Sequence, residues 1–138
     1  DDADTRYGGM IVVRSEIKSM CSHHHQPVSG VAYIGLIPGV KVIGLSKYTR
    51  LAQHCARRGT LQEELTQDIA NVISKHTGAK DIAVYIQGTH GCCENRGIMA
   101  HSSLTQTCEL RGQFFNPSVK NEFLDYIKMQ QVFAGNRV

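Results

Sequence analysis

Cysteine and histidine residues concentrate in two short segments of the chain. The first begins at Cys21 and reads C-S-H-H-H, and the second begins at His90 and reads H-G-C-C. Cys21 and His24 have the C-x-x-H spacing that lets one turn direct two side chains at one ion. His90 and Cys92 are two residues apart, which in extended backbone puts both on one side. Thiolate and imidazole ligands select Zn²⁺ over Mg²⁺ or Ca²⁺, so these segments predict a zinc site.

Spacing alone leaves three interpretations of these segments open. All four of Cys21, His24, His90 and Cys92 could close a tetrahedral structural site. If only three of them bind, the fourth position holds water and the site is hydrolytic. The remaining interpretation is that they are ordinary thiols and surface histidines.

A second candidate site is the segment G-L-S-K-Y-T-R, residues 44–50. If a helix begins here, its free N–H groups together with Lys47 and Arg50, three residues apart on one face, would form a cradle for phosphate groups. The alternative is an N-cap serine followed by two solvated cations, and the missing glycine pattern of a phosphate-binding loop favours that alternative. Arg96, four residues after Cys92, would add a cation near the metal ligands.

Hydrophobic periodicity predicts the elements that must position these residues. Strands are expected over residues 10–20, 28–37, 81–88 and 102–115, where β-branched and alternating apolar residues dominate. A helix is expected over about 46–58, with Gly59 following its end.

Two further helices carry end signals. Thr60 and Glu63 form a T-x-x-E capping box that predicts the start of a second helix, and Gly78 predicts its end. Asn116 and Pro117 read as an N-cap and first helical residue, and they open a C-terminal helix.

This ββααββ order with a C-terminal helix predicts an α+β fold, in which an antiparallel four-stranded sheet carries two helices on one face. Such an open sheet has two exposed edges, and another copy of the same chain can cover them. We therefore expect a homo-oligomer.

Length and composition limit the possible protein classes. The 138 residues and 15.3 kDa suit a single domain, which we place at residues 10–138 after an N-terminal arm of residues 1–9. Hydrophobic residues make up 41% of the chain, so disorder is excluded, and no apolar stretch approaches the length of a membrane helix. A formal charge of +3 with scattered basic residues argues against nucleic-acid binding. Five irregularly spaced cysteines favour a reducing compartment, and we expect the cytoplasm.

Four segments resemble motifs of the GTP cyclohydrolase I family. Residues 19–24, S-M-C-S-H-H, resemble the family's S-x-C-E-H-H element, and residues 42–50 resemble its G-L-S-K-x-x-R helix start. Residues 61–66, L-Q-E-E-L-T, are similar to V-Q-E-R-L-T, and residues 89–97 are similar to H-x-C-x-x-x-R-G. The motifs occur in the family's order and spacing.

The resemblance implies the tunnelling fold, in which subunits join sheet to sheet into an oligomeric barrel, a decamer by family habit with sites between subunits. It also implies hydrolysis of GTP at C8 of guanine, with formate release and formation of 7,8-dihydroneopterin triphosphate. The family binds one zinc ion through Cys, His and Cys, which are Cys21, His24 and Cys92 here. With these three ligands, His90 does not bind the metal and is, together with His23, a candidate acid/base residue.

The remaining family positions imply substrate contacts. Ser46, Lys47, Arg50 and Arg96 would hold the triphosphate, whereas Gln62 and Glu63 would recognise the guanine edge. Two alternatives stay open: an enzyme of the same fold acting on another purine or pterin, including the nitrile reductase of queuosine synthesis, and a catalytically silent zinc-stabilised binding module. The resemblance does not choose among folate, biopterin and 7-deazaguanine synthesis as the product's destination.

Overall fold

A computed structural model describes residues 9–21, 26–39, 43–91 and 102–135, and for residues 19–21, 26–28, 90–91, 102–103 and 135 it describes the backbone only. The chain order is β1 (Ile11–Cys21), β2 (Gln26–Leu36), α1 (Leu45–Ala56), α2 (Gln62–Thr77), β3 (Ile82–Gly91), β4 (Ser102–Arg111) and α3 (Pro117–Gly135). A short 3₁₀ helix, Gly112–Phe115, precedes α3. This confirms the predicted ββααββ order with a C-terminal helix.

The four strands form one sheet in the order β1-β2-β3-β4, and each strand is antiparallel to its neighbour. Helices α1 and α2 lie in the long connection between β2 and β3. Because neighbouring strands run in opposite directions, β1 and β3 finish at the same end of the sheet at which β2 and β4 begin. We call this end, formed by Cys21, Gln26, Gly91 and Ser102, the Cys21 end.

Strand alternation divides the apolar residues between two faces of the sheet. On one face, Ala32, Ile34 and Leu36 of β2 and Ile82, Val84 and Ile86 of β3 pack beneath α1 and α2. The helices contribute buried residues at helical spacing, among them Tyr48, Ala52, Cys55, Ile69 and Ile73. The prediction of two helices on one face is therefore confirmed.

Helix α3 covers part of the opposite face. Its buried residues Val119, Phe123 and Ile127 pack on Tyr33 and Ala83 of the sheet. The ring of Phe123 also meets that of Phe114 edge to face, with centroids 5.7 Å apart. The sheet thus separates two hydrophobic clusters. None of the described helices has both the length and the apolar character needed to cross a membrane.

The predicted capping box at the start of α2 is wrong. The N-cap is Leu61, which forms no side-chain cap, and the hydroxyl of Thr60 is buried without a described partner. Glu63 is consequently the second helical residue, where a carboxylate cannot complete a capping box, since that motif needs it at the third. Tertiary hydrogen bonds of Gln62, described below, fix this end of the helix instead.

Two other predicted helix ends are confirmed, whereas the predicted end of the last strand is wrong. Gly78 ends α2 in the left-handed conformation at φ 74°, as predicted. Asn116 caps α3 as predicted, because its Oδ1 accepts the N–H of Ser118 at 3.1 Å. The strand expected over 102–115 is shorter: it stops at Arg111, since Gly112 at φ 65° turns the chain into the 3₁₀ helix.

Candidate functional site

The topology brings both Cys/His segments to one end of the sheet. Cys21 is the last residue of β1, and Cys92 directly follows Gly91, the last residue of β3. One strand separates β1 from β3, so their backbones lie about 10 Å apart at this end. The two segments predicted to share a metal ion therefore start from neighbouring positions.

The side chains of the predicted ligand set lie outside the described part of the chain. His23, His24, Cys92 and Arg96 lie outside the described residues, and Cys21 and His90 are described as backbone. Within the described side chains, no group of three or more His, Cys, Asp or Glu could hold a metal ion. The predictions for zinc ligands and acid/base histidines remain predictions.

The phosphate-cradle prediction falls at the start of α1. Gly44 is the N-cap in extended conformation, at φ −65° and ψ 150°, and no side chain caps the helix. Ser46 is the second helical residue, so the alternative of an N-cap serine is wrong. The first turn contains no acidic residue, and Ser46, Lys47 and Arg50 are exposed. In the described part of the chain neither cation joins a salt bridge. Uncapped N–H groups beside two unpaired cations suit an anion.

Contacts with β1 locate this cradle relative to the Cys21 end. The hydroxyls of Thr49 and Ser15 hydrogen-bond at 2.8 Å, and the Gln53 amide donates to the carbonyl of Glu16 at 3.2 Å. Helix α1 therefore runs in the same direction as β1. Ser15 precedes Cys21 by six residues, about 20 Å at the strand rise. Arg50, next to Thr49, thus begins far from the Cys21 end of its own chain.

Gln62, at the start of α2, is held by both β3 and β4. Its Nε2 donates to the carbonyl of Thr105 at 3.0 Å, to the carbonyl of Ile86 at 3.3 Å and to Oγ1 of Thr107 at 3.2 Å. Its Oε1 is buried and has no hydrogen-bond partner among the described atoms. Thr105 lies three residues from Ser102, so Gln62 sits about 10 Å from the Cys21 end.

Gly88 makes this position of Gln62 possible. A Cβ at Gly88 would lie 2.5 Å from Oε1 of Gln62, closer than real Cβ contacts allow. The residue at position 88 must therefore be glycine for the amide to lie over β3. Sequence reasoning did not single out Gly88, Thr66 or Thr107, because none carries a reactive group; only their closeness in the fold identifies them.

Glu63 is exposed at the second position of α2 and forms no hydrogen bond or salt bridge with the described residues. A negatively charged side chain here interacts favourably with the partial positive charge of the helix N-terminus. An exposed carboxylate at the start of α2 is thus available to accept hydrogen bonds from a ligand.

Comparison with known proteins gives consistent matches. Residues 2–128 match the family model described as GTP cyclohydrolase I. The chain is 40% identical over 133 residues to GTP cyclohydrolase 1 of Flavobacterium johnsoniae, covering 96% of this chain and 60% of that protein. It is 42% identical over 120 residues to GTP cyclohydrolase 1 of Campylobacter lari, covering 86% of this chain and 63% of that protein. The chain therefore spans less than two thirds of the length of these relatives.

Among solved structures, the fold is similar to that of the archaeosine synthase QueF-Like in its apo form. The TM-score is 0.52 at 13% sequence identity, over 74% of this chain and 96% of the other. At that identity the likeness concerns the fold alone. Together with the sheet topology it confirms the predicted tunnelling fold of a single chain.

Proposed function

The chain belongs to the GTP cyclohydrolase I family, and we propose that it hydrolyses GTP at C8 of guanine, releases formate and forms 7,8-dihydroneopterin triphosphate. One observation supports the proposal beyond family membership: both Cys/His segments start from the same end of the sheet, and α2, whose first turn carries the exposed carboxylate of Glu63, begins about 10 Å from that end. A metal-ligand set, histidines that move protons and a base-recognising group are what this reaction requires.

Zinc is the metal proposed, held by Cys21, His24 and Cys92. Two thiolates and one imidazole are a donor set that suits Zn²⁺, and three protein ligands leave a position open for chemistry. When bound, zinc supplies a Lewis acid that makes water nucleophilic near neutral pH. In this proposal Cys21 comes from the end of β1, His24 from the segment that follows β1, and Cys92 from the segment that follows β3.

His23 and His90 are the proposed acid/base residues. Opening the imidazole ring of guanine and releasing formate require protons to reach ring nitrogens and the departing amide. Imidazole titrates near neutral pH, so a histidine can hold or deliver such a proton. His90 is the penultimate residue of β3, which ties it to the rigid sheet.

Substrate recognition is assigned to residues at the starts of α1 and α2. The Glu63 carboxylate would accept both N1–H and the exocyclic amine of guanine, a pair that adenine does not offer. Since both N–H groups of the Gln62 amide are used within the protein, only its buried Oε1 could accept from the base. Ser46, Lys47, Arg50 and Arg96 would bind the triphosphate.

We further propose that the site is shared between copies in a homo-oligomeric barrel, a decamer by family habit. In one chain the cradle at Arg50 and the Cys21 end lie about 20 Å apart along β1, and sharing would let one copy's cradle meet another copy's Cys21 end. The proposal treats residues 10–138 as one domain after the arm 1–9. It places the protein in a reducing compartment such as the cytoplasm.

Incubation with GTP, combined with metal analysis, tests this function. We expect formate release and about one zinc per chain, as a three-ligand site requires. Zinc should be lost in Cys21→Ser and in Cys92→Ser but retained in His90→Ala. If His90→Ala loses zinc as fully as Cys21→Ser, the closed structural site is correct. Zinc without formate release would favour an enzyme on another purine or pterin, or a silent binding module.

A further inference from the structure

Gln62, Thr66 and Thr107 form a closed ring of hydrogen bonds where α2 begins. Thr66 Oγ1 donates to the carbonyl of Gln62 at 2.8 Å and lies 2.6 Å from Oγ1 of Thr107. A hydroxyl has one proton, so Thr107 must be the donor to Thr66. Thr107 in turn accepts from Nε2 of Gln62. Each hydroxyl of the ring therefore both donates and accepts.

The ring gives the Gln62 amide one orientation. Nε2 faces the backbone carbonyls of Thr105 and Ile86, which can only accept hydrogen bonds. If the amide were flipped, Oε1 would face these two carbonyl oxygens, and no hydrogen bond could form. Oε1 is confined over Gly88. The first turn of α2 is thus attached to β3 and β4 by directed hydrogen bonds, in place of the side-chain cap that Leu61 does not provide.

We infer that Thr107, acting through Gln62, is a positioning residue for base recognition. The inference rests on the proposed function, in which Glu63 binds guanine. Glu63 directly follows Gln62, and its exposed carboxylate forms no hydrogen bond or salt bridge with the described residues. The backbone of this turn therefore sets the point from which the side chain reaches a ligand. A carboxylate that must accept two hydrogen bonds at once tolerates little displacement, because a shift of about 1 Å can cost a site most of its efficiency.

Thr107→Val tests the inference because it keeps the shape of the side chain and removes its hydroxyl. Thr107→Ser restores the hydroxyl and serves as the conservative rescue. Thr66→Val breaks the same ring from the helix and leaves β4 unchanged, which guards against a folding defect specific to Thr107→Val. Thr89→Val is the matched control, since it removes a β3 hydroxyl that donates to the carbonyl of Ser29 outside the ring.

The measurement is kcat and KM for GTP and for inosine triphosphate, which lacks the exocyclic amine. Thr107→Val and Thr66→Val should raise KM for GTP about tenfold and change that for inosine triphosphate far less, so the preference for GTP falls. Thr107→Ser and Thr89→Val should keep the parent preference. Amide hydrogen exchange in the first turn of α2 should become faster in the two Val variants of the ring.

Two results would overturn the inference while leaving the proposed function standing. One is an unchanged GTP preference in Thr107→Val although exchange in the turn becomes faster. The other is an equal loss for both nucleotides, which would mean a merely structural role. A parent chain that neither binds nor turns over GTP would instead remove the proposed function, and this inference with it.

Discussion

Glu63 can be tested without the ambiguity that the sequence alone left. A capping-box role would have tied the residue to helix stability, but Leu61 is the N-cap and the Glu63 carboxylate is exposed. Within the described part of the chain, its structural contribution is a favourable interaction with the helix N-terminus, worth about 0.3–1 kcal/mol. Base recognition and stability should therefore separate when this residue is changed.

We predict that Glu63→Gln melts close to the parent and loses most GTP binding and turnover, because an amide cannot accept two N–H groups through two oxygens. Glu64→Gln is the matched control: it removes a neighbouring exposed charge from the same helix turn. Calorimetry and GTP titration of both variants measure the effect. Equal GTP affinity in the two variants would exclude Glu63 as the guanine-binding residue.

Cys55 gives a prediction about alkaline pH. It is a free thiol of α1, fully buried in the hydrophobic cluster that α1 and α2 form with the sheet, and burial raises its pKa above the ordinary value of 9.0. Nearby Arg58 opposes this shift and Asp68 adds to it. Since the folded chain holds the thiol proton more tightly, the free energy of unfolding should be intact below pH 9 and should fall as pH rises through the raised pKa.

Urea unfolding of the parent and of Cys55→Ala at pH 7 and pH 10 measures this effect. The variant should be less stable at pH 7 by about 0.5–3 kcal/mol, as expected for a truncation in the core. It should also lose less stability between the two pH values. Equal losses in both proteins would show that thiol ionisation does not contribute.

At the scale of elements, the sequence predicted those strands and helix ends that are determined by residues close together in the chain. The alternation of Ile82, Val84 and Ile86 indicated β3, Gly78 marked the end of α2, and Asn116 marked the start of α3; all three are confirmed. Each signal acts within a few residues, so it can be read without the tertiary structure.

The failures have tertiary causes. The start of α2 was misplaced because Gln62 is fixed by carbonyls of Ile86 and Thr105, which are distant in sequence. Thr107 was missed for the same reason, because it is 45 residues from Gln62 in sequence. Its hydroxyl is also not a group that sequence analysis would single out as reactive. The candidate reactive residues could be chosen by type and spacing, whereas the residues that we propose to position them could not.

Gly35 offers a test of how α3 is seated on the sheet. A Cβ at this position would lie 2.6 Å from the buried ring of Phe123. Gly35→Ala should therefore displace α3 and cost about 1–3 kcal/mol, the range for an overpacked core. Adding Phe123→Leu should relieve the clash, so urea unfolding of the two single variants and the double variant should show coupling. Additive effects would mean that the ring and the new methyl group do not meet.

At the scale of the whole molecule, the free edges of the sheet agree with the proposal of a site shared between copies. Within the described chain, β1 and β4 each pair with one strand only, so each has a free edge. The proposed phosphate cradle at the start of α1 and the Glu63 carboxylate at the start of α2 belong to helices that run in opposite directions relative to the strands. If a neighbouring copy pairs with a free edge, the cradle of one copy could lie near the Glu63 carboxylate of the other, and the two would form one site.

Subunit mixing distinguishes a shared site from one built within a single chain. Arg50→Ala removes one of the two cradle cations and Glu63→Gln removes the proposed base-binding carboxylate, so each variant alone should lose most of its activity. If the two residues of one site come from different chains, mixed oligomers contain some sites with both residues intact, about a quarter of all sites under random mixing. We therefore predict that unfolding and refolding the two variants together restores formate release from GTP, whereas refolding each alone does not. Activity that stays absent in mixed oligomers, with mixing verified by mass, would mean that Arg50 and Glu63 serve a site within one chain.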